Sequence, residues 1–444
     1  MLRPLARAAT VVFFCLLEAH ASVAAAEERP WVRNDDPVVL QGATLPALLG
    51  VAPANLALFR CGDGGFVPIP FQIDQKLPSG DYAFDRGAQT AVDPDPNFDA
   101  NDELVFLAAD AGAPCTHARP PGSLRTARIG VHDRAGAARS AYLFSFGGPA
   151  PRSPVDYIQG IQDAKRKVWR VEAKTYRIEL ADNAAHYDYL SVKNHDGVWS
   201  ENVVDRLKIR GEATMLWGLI HVPIVADELY KMRFDAWIDG PVRIVALAHG
   251  YLDAFRHVLR IPLQGNSLVQ LYPTFFVFPL TGYLPIDIGS VLTSLHMHGV
   301  NEFNKSVYGH KLRYYDAHVP YTADIAIDGT ISAAEKAMDT ASDREWMVLA
   351  GEKEANLCRF VIPKEWRFAT RRLYYKEDES LRDPPEAEPG IVGVGFDVDG
   401  LIHLKHGWVT LYLQYYFPET FAVGDEKRIL DIMDDPLQVT AGGD

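Results

Sequence analysis

The residues best suited to chemistry lie in the second half of the chain. His296 and His298 stand two apart, so in an extended segment their side chains share one face and both can reach one metal ion. Asn301, Asn304, His310, Tyr314, Tyr315 and His318 follow closely. A Tyr/His pair beside an Asn is also the equipment of an eliminating lyase. There, Asn or His neutralises a uronate carboxylate while Tyr or His moves the proton. His296, His298 and Tyr314 are therefore the candidate catalytic set. A second group, His186, Tyr187, Tyr189 and His195, is able to face the same cleft. A plainer reading stays open beside the chemical one: hydrogen-bonded histidines and interfacial aromatics lining a sheet, since 14 His in 444 residues is no large excess.

Three other stretches carry possible sites. Asp93, Asp95, Asn97, Asp99 and Asp102, with Glu103, place oxygen-bearing side chains close together in a loop. Calcium takes six to eight oxygen ligands, so the first five are candidates for a structural Ca2+. The spacing is not that of an EF-hand, and a solvated acidic loop is the alternative. Between Arg260 and Asp287 no residue is charged. Prolines 273, 279 and 285 would break a spanning helix, which leaves buried strands or an exposed apolar surface for a lipid, another hydrophobic small molecule or a partner, with Phe275 and Phe278 as contacts. The basic run Lys165-Arg166-Lys167, with Arg170, Lys174 and Arg177, reads as a solvated strand face or a site for an acidic polysaccharide or lipid headgroup. No GxSxG, HExxH, GxxxxGK[ST] or GxGxxG occurs, which argues against hydrolases and nucleotide enzymes of familiar type.

The elements that must position these residues are strands. Val67, Ile69, Phe71 and Ile73 alternate with Pro68, Pro70, Gln72 and Asp74, which is period two. Leu104–Leu107 and Ala141–Phe146 read as further strands. Tyr230–Asp239, the turn Asp239-Gly240-Pro241 and Val242–His249 read as a hairpin. Ile391–Val398, a turn at Asp399-Gly400 and a return strand Leu401–Lys405 repeat that grammar. Trp408–Phe417 is a long strand with Trp408, Tyr412 and Tyr416 on one face, and Trp408 and Tyr412 are candidate stacking platforms for sugar rings. Helical signals are few: Ser332–Ser342, with Glu335 completing a capping box, and Glu426–Met433. Asp378–Gly390 reads as a solvated excursion. Gly147–Pro154, rich in Pro and Gly, predicts a linker over residues 149–156. The expected architecture is all-β: a smaller N-terminal β-sandwich over 27–148 and a larger, supersandwich-like C-terminal one over 157–444.

Val67-Pro-Ile-Pro-Phe-Gln-Ile-Asp74, followed by Asn101-Asp-Glu-Leu-Val-Phe106, resembles the opening of a group of uncharacterised exported bacterial proteins. It is also similar to sandwich proteins found with polysaccharide lyases, and Asp239-Gly-Pro-Val-Arg243 resembles a turn in that broader class. The resemblance implies tandem sandwiches and a carbohydrate association. It carries over no catalytic residue.

The N-terminus predicts the address. Arg3 and Arg7 precede an apolar Ala8–Leu17, and small residues run to Ala26 before Glu27-Glu28, the pattern of a secretory signal peptide over 1–26. An exported, periplasmic or secreted protein is expected, with no transmembrane segment after cleavage. Of the 4 Cys, Cys61, Cys115 and Cys358 remain. Cys61 with Cys115 is the preferred disulfide, three unpaired cysteines the alternative. A formal net charge of −14 argues against nucleic acid as a partner. The composition, 48% hydrophobic and 23% charged, is that of a folded protein. Together these readings point to binding or processing of an envelope or extracellular glycan. A carrier or sensor of a hydrophobic molecule and a structural accessory protein with an envelope protein partner are the alternatives.

Overall fold

The computed structural model describes residues 31–181, 187–225, 230–254, 259–307, 312–323, 325–351, 354–377 and 391–442. The signal segment 1–26, His186, His310 and the 378–390 excursion lie outside the described residues. The first part of the chain forms β1 (Pro37–Gln41), β2 (Leu56–Gly62), β3 (Gly65–Pro68), β4 (Gln72–Asp74), β5 (Arg86–Gly87), β6 (Glu103–Leu107), β7 (Ser123–His132) and β8 (Ala138–Phe146). There follow β9 (Ile158–Asp163), β10 (Val168–Ala173), β11 (Tyr176–Ala181), β12 (Tyr187–Val192), β13 (Val204–Met215), β14 (Ile220–Val225), β15 (Tyr230–Asp239) and β16 (Ile244–Ala254). The uncharged run becomes β17 (Leu259–Leu271) and β18 (Phe275–Leu284). Next are β19 (Leu292–Phe303), β20 (Arg313–Asp316), β21 (Trp346–Ala350), β22 (Ala355–Val361), β23 (Thr370–Glu377), β24 (Val392–Asp399), β25 (Gly407–Tyr416) and β26 (Gln438–Gly442). Two short helices, α1 (Ala333–Lys336) and α2 (Glu426–Asp434), complete the described elements. No helix among the described residues is long and apolar enough to cross a membrane.

The protein is all-β, built from antiparallel sheets packed face to face. A three-stranded sheet, β1-β6-β4, and a five-stranded sheet, β26-β7-β8-β2-β3, enclose a core containing Val38, Leu58, Phe98, Phe106, Ile129 and Leu143. A nine-stranded sheet, β20-β21-β22-β25-β18-β17-β16-β15-β5, shares a second, larger core with the five-stranded β14-β13-β19-β24-β23 and the four-stranded β12-β11-β10-β9. Tyr176, Leu207, Ile244, Phe276 and Phe396 meet there. Each such side chain contributes roughly 1.5–3 kcal/mol when fully buried, and this is what holds the layers together.

Several expectations are refined. Strand pairing runs across the boundary expected near 149–156: β26 pairs with β7 and β5 pairs with β15. The Pro/Gly segment is not loose: Ala150 N–H donates to Ala54 O at 2.9 Å, and Arg152 stacks 4.4 Å over the Phe71 ring. Leu401–His403 is a 3-10 turn in place of the expected return strand. The helix expected over 332–342 ends after one turn, although its Ser332/Glu335 capping box forms. The Asp339 carboxylate accepts the N–H groups of Ala341 and Ser342, and this local turn competes with helix continuation. The uncharged run forms strands, with β17 and β18 neighbours in the nine-stranded sheet; residues 271–277 are buried and 278–284 half-buried.

The segments that carry the family resemblance meet in one place. Gln72 Oε1 accepts the backbone N–H groups of Val242 (3.0 Å) and Arg243 (2.9 Å), clamping the Asp239–Arg243 turn. A Cβ on Gly240 would lie 2.4 Å from Gln72 Oε1, so any larger residue there would displace the Gln72 amide from this clamp. Arg243, 2% exposed, donates to Asp74 Oδ2 at 2.8 Å and to Glu103 Oε2 at 2.5 Å. Tyr82 Oη donates to the same Glu103 oxygen at 2.8 Å, and Lys76 reaches Glu103 Oε1. Burial raises the Asp74 carboxyl despite Arg243, whereas for Glu103 the cations and Tyr82 outweigh burial and hold it below its ordinary value. This buried ion network fastens β4 and β6 to the start of β16.

Candidate functional site

The five-stranded sheet β14-β13-β19-β24-β23 has one face in the core and one away from it, and residue parity decides which is which. Along β24, Val392, Val394, Phe396 and Val398 point into the core. Asp397 and Asp399 alternate with them and therefore point outward. In β19, His298 stands directly opposite Asp397, and His296 one rung further on lies level with Asp399. Four polar side chains thus converge on the outer face.

Their geometry is specific. His296 Nδ1 lies 3.0 Å from Asp399 Oδ1, and His296 Nε2 lies 3.3 Å from Asp397 Oδ1. His298 Nδ1 is 3.8 Å from that same Asp397 oxygen. Arg372 from β23 holds the other Asp399 oxygen at 3.0 Å. The His298 ring stacks on Tyr374, with centroids 4.9 Å apart and planes at 23°. Ligand atoms of His296, His298 and Asp397 all lie within 4.8 Å of one another, the one group of metal-ligating side chains so close among the described residues.

A cleft of about 730 Å³ opens at the end of the same strand, lined by Trp217, Asp287, Ser290, Thr293, His403 and Lys405 among others. The β13–β14 hairpin supplies Trp217, which is 89% exposed. Leu216 and Trp217 both adopt left-handed backbone angles, with φ of 48° and 55°, a strained conformation of the kind that clusters at binding sites. Across the cleft, Asp287 accepts the His406 N–H at 2.8 Å and Lys405 Nζ at 3.1 Å. The His406 backbone and ring, then Lys405, hold its carboxyl down at about 2, so it stays anionic. Cleft and cluster share chain segments. β19 carries Thr293 and His296, and the turn at Gly400 joins Asp399 to His403. Gly400 has φ 86°, and a Cβ there would lie 1.9 Å from the Phe368 carbonyl oxygen.

The remaining sequence candidates fall elsewhere. Tyr314 does not join the histidines: it belongs to β20 of the nine-stranded sheet, is fully buried, and donates to Asp316 Oδ2 at 2.6 Å. Asn301 has core parity and accepts from Tyr187 (2.7 Å) and Tyr415 (3.3 Å). His195 pairs with its neighbour Asp196, and His318 lies 2.9 Å from Asp343 O. Phe275 is core rather than contact surface, sandwiched between Tyr272 and Tyr416 and packed with Ile429 and Ile432 of α2. Phe278 is half-buried; with Phe276 it lines an apolar void of about 40 Å³, room for little more than a water and far too small for a lipid. Trp408 and Tyr412 are exposed on β25, but Tyr416 on the same face is covered by α2, so they do not extend into a longer aromatic platform.

In the acidic loop the carboxylates cap their own turns. Asp93 accepts from Asp95 N–H, Asp95 from Asn97, and Asp99 from Asn101, while Asp102 accepts from Asp99 and Lys76. The basic run is matched by acids: Arg166 and Arg170 grip Glu179, Arg177 meets Glu172, and Lys174 meets Glu419. Cys61 and Cys115 form a disulfide with Cα atoms 5.1 Å apart, and Cys358 is buried, its thiol pushed up to about 12 by burial. A second cleft of about 510 Å³ borders Trp199, but Arg177 lies 3.8 Å over that ring and occupies its face.

Sequence reasoning missed Trp217, Asp287, Asp397 and Asp399. The signals were an apolar hairpin tip, Leu216-Trp-Gly-Leu219, where turns are ordinarily polar, and aspartates alternating with core residues in Phe396-Asp-Val-Asp399.

No family model matches the sequence, and no curated protein matches it. Among solved structures, the chain is similar to a glycosyl hydrolase family 38 protein from Enterococcus faecalis, with 7% identity and a TM-score of 0.38. The match covers 92% of this chain and 44% of that one, so the chain spans under half the length of that neighbour. Identity and superposition this low carry no argument about activity.

Proposed function

We propose that this chain is an exported protein that binds an envelope or extracellular glycan in the cleft lined by Trp217. The observation that carries the reading is an indole 89% exposed beside a cleft of about 730 Å³ that also presents Asp287, Ser290, Thr293, His403 and Lys405. A sugar ring offers an apolar face to stack on an aromatic and hydroxyls to bond with such groups. The signal-like N-terminus and the Cys61–Cys115 disulfide support export, because disulfides persist in oxidising compartments. Elimination chemistry through His296, His298 and Tyr314 is not part of the proposal, since Tyr314 lies in a different sheet.

Affinity electrophoresis against soluble acidic and neutral polysaccharides tests the reading. At least one should retard the protein, and Trp217→Ala should weaken that binding about tenfold, the loss of one aromatic stacking contact. If no glycan retards the protein, or if Trp217→Ala migrates like the wild type, the reading fails. A second reading, docking of an apolar surface of an envelope partner, is favoured by exposed Leu216, Leu219 and Ile220 beside Trp217. Leu219→Asp separates the two, because it spoils apolar docking and leaves the indole available to a sugar.

A further inference from the structure

We propose that His296, His298 and Asp397 form a binding site for one divalent transition-metal ion, with Asp399 as the residue that orients His296. Alternation along β19 puts both histidines on one outward face, and the β19–β24 register sets Asp397 opposite His298. Zinc bonds of about 2.0–2.1 Å in a tetrahedron require ligand atoms about 3.4 Å apart. The His296 Nε2 to Asp397 separation is 3.3 Å, the His298 Nδ1 to Asp397 separation is 3.8 Å, and ligand atoms of all three residues lie within 4.8 Å of one another, so side-chain rotation can gather the set around one ion.

The surroundings would also hold a metal-bound imidazole in place. His296 Nδ1 faces Asp399 Oδ1 at 3.0 Å, and Arg372 anchors the other Asp399 oxygen at 3.0 Å. A carboxylate on one ring nitrogen fixes the tautomer and turns the opposite nitrogen toward the metal as an acceptor. Here that opposite nitrogen is Nε2, the atom beside Asp397. The stack of His298 on Tyr374 sets the second ring. Two imidazoles and one carboxylate are a donor set for zinc, iron or a similar borderline ion, and a poor one for calcium, which prefers an all-oxygen shell. The side chains are 21–47% exposed, so the ion would keep a position open to solvent. Thr293 of the cleft lies three residues from His296 on β19, roughly 10 Å along the strand. The site stands on these contacts alone and does not depend on the glycan reading.

The full-length protein, stripped with a chelator and titrated with zinc chloride by calorimetry, tests the assignment. Cobalt is loaded in parallel, so that visible bands report coordination by the protein. The expected result is one zinc per chain, with His296→Ala and His298→Ala each weakening binding at least 100-fold. Asp399→Asn should weaken it about 10- to 100-fold, as loss of an orienting partner does, and should shift the cobalt bands without abolishing them. His117→Ala and His195→Ala, which lie outside both the cluster and the cleft, should match the wild type. The ligand variants change partly exposed side chains, and unchanged thermal midpoints confirm that they fold. No saturable zinc binding by the wild type would overturn the proposal. Binding that survives the His296→Ala/His298→Ala double variant would overturn it as well.

Discussion

Two charged clusters in this molecule use similar side chains and have opposite character. Around Arg243, the carboxylates of Asp74 and Glu103, the tyrosines Tyr82 and Tyr272, Gln72 and Lys76 bond one another in a nearly dry joint: Arg243 is 2% and Asp74 1% exposed. Around His296, two imidazoles and two aspartates converge at the surface beside a cleft, with ligand atoms close together and open to solvent. The first cluster has no capacity left for a ligand, and removing any member strands the others in low dielectric. The second tolerates loss of a member, because water replaces it. A charged cluster fastens the fold when it is closed and saturated, and is available for chemistry when it is open and directed outward.

The sharpest way to break that contrast is to remove one member from each. Arg243→Ala leaves Asp74 buried without its cation and Glu103 with Lys76 alone, and should cost about 3–5 kcal/mol in urea unfolding, enough to threaten folding altogether. A loss below about 1 kcal/mol would mean that the joint is hydrated and the contrast false. Gly400→Ala comes next. The new methyl meets the Phe368 carbonyl in a left-handed turn, and a loss of about 1–3 kcal/mol is expected, with both cleft and histidine cluster disturbed because the turn positions Asp399 and His403.

A third test concerns pH. Burial raises the Glu377 carboxyl from 4.5 to about 7, where it accepts from Tyr375 and from the backbone of Asp328 and Gly329. Between those values the folded chain holds a proton that the unfolded chain has released. Stability from this group therefore falls as pH rises from 4.5 to about 7 and is level above it. Thermal midpoints of Glu377→Gln, which mimics the protonated acid, should lack that decline. The smallest effect belongs to the open cluster: His296→Ala should change unfolding stability by no more than about 0.5 kcal/mol. A larger loss would place the histidines with the structural joint.

Period-two alternation made most strands legible, because a sheet with one buried face writes its register into residue type. The pair His296/His298 was legible for the same reason. Its partners were not: Asp397 and Asp399 are about a hundred residues away in the chain, and only the β19–β24 pairing brings them together. Tyr314 looked like a partner because it is near in sequence, yet between β19 and β20 the chain leaves one sheet for another. Parity alone would have separated Asn301 from His298. The return of β26 to β7 was equally hidden, since a short strand near the end of the chain names no neighbour. The motifs Gln72-Ile-Asp74 and Gly240-Pro-Val-Arg243 stood out in the sequence, but their role as two halves of one buried joint appears only when they meet.

The most direct test of where function lies is hydrogen–deuterium exchange of the folded protein with and without a polysaccharide that retards it. The account expects protection confined to the hairpin around Trp217, the segment from Asp287 to Thr293 and the turn from Asp399 to His406. Protection centred on the exposed aromatics of β25, Trp408 and Tyr412, with the Trp217 hairpin unchanged, would contradict it.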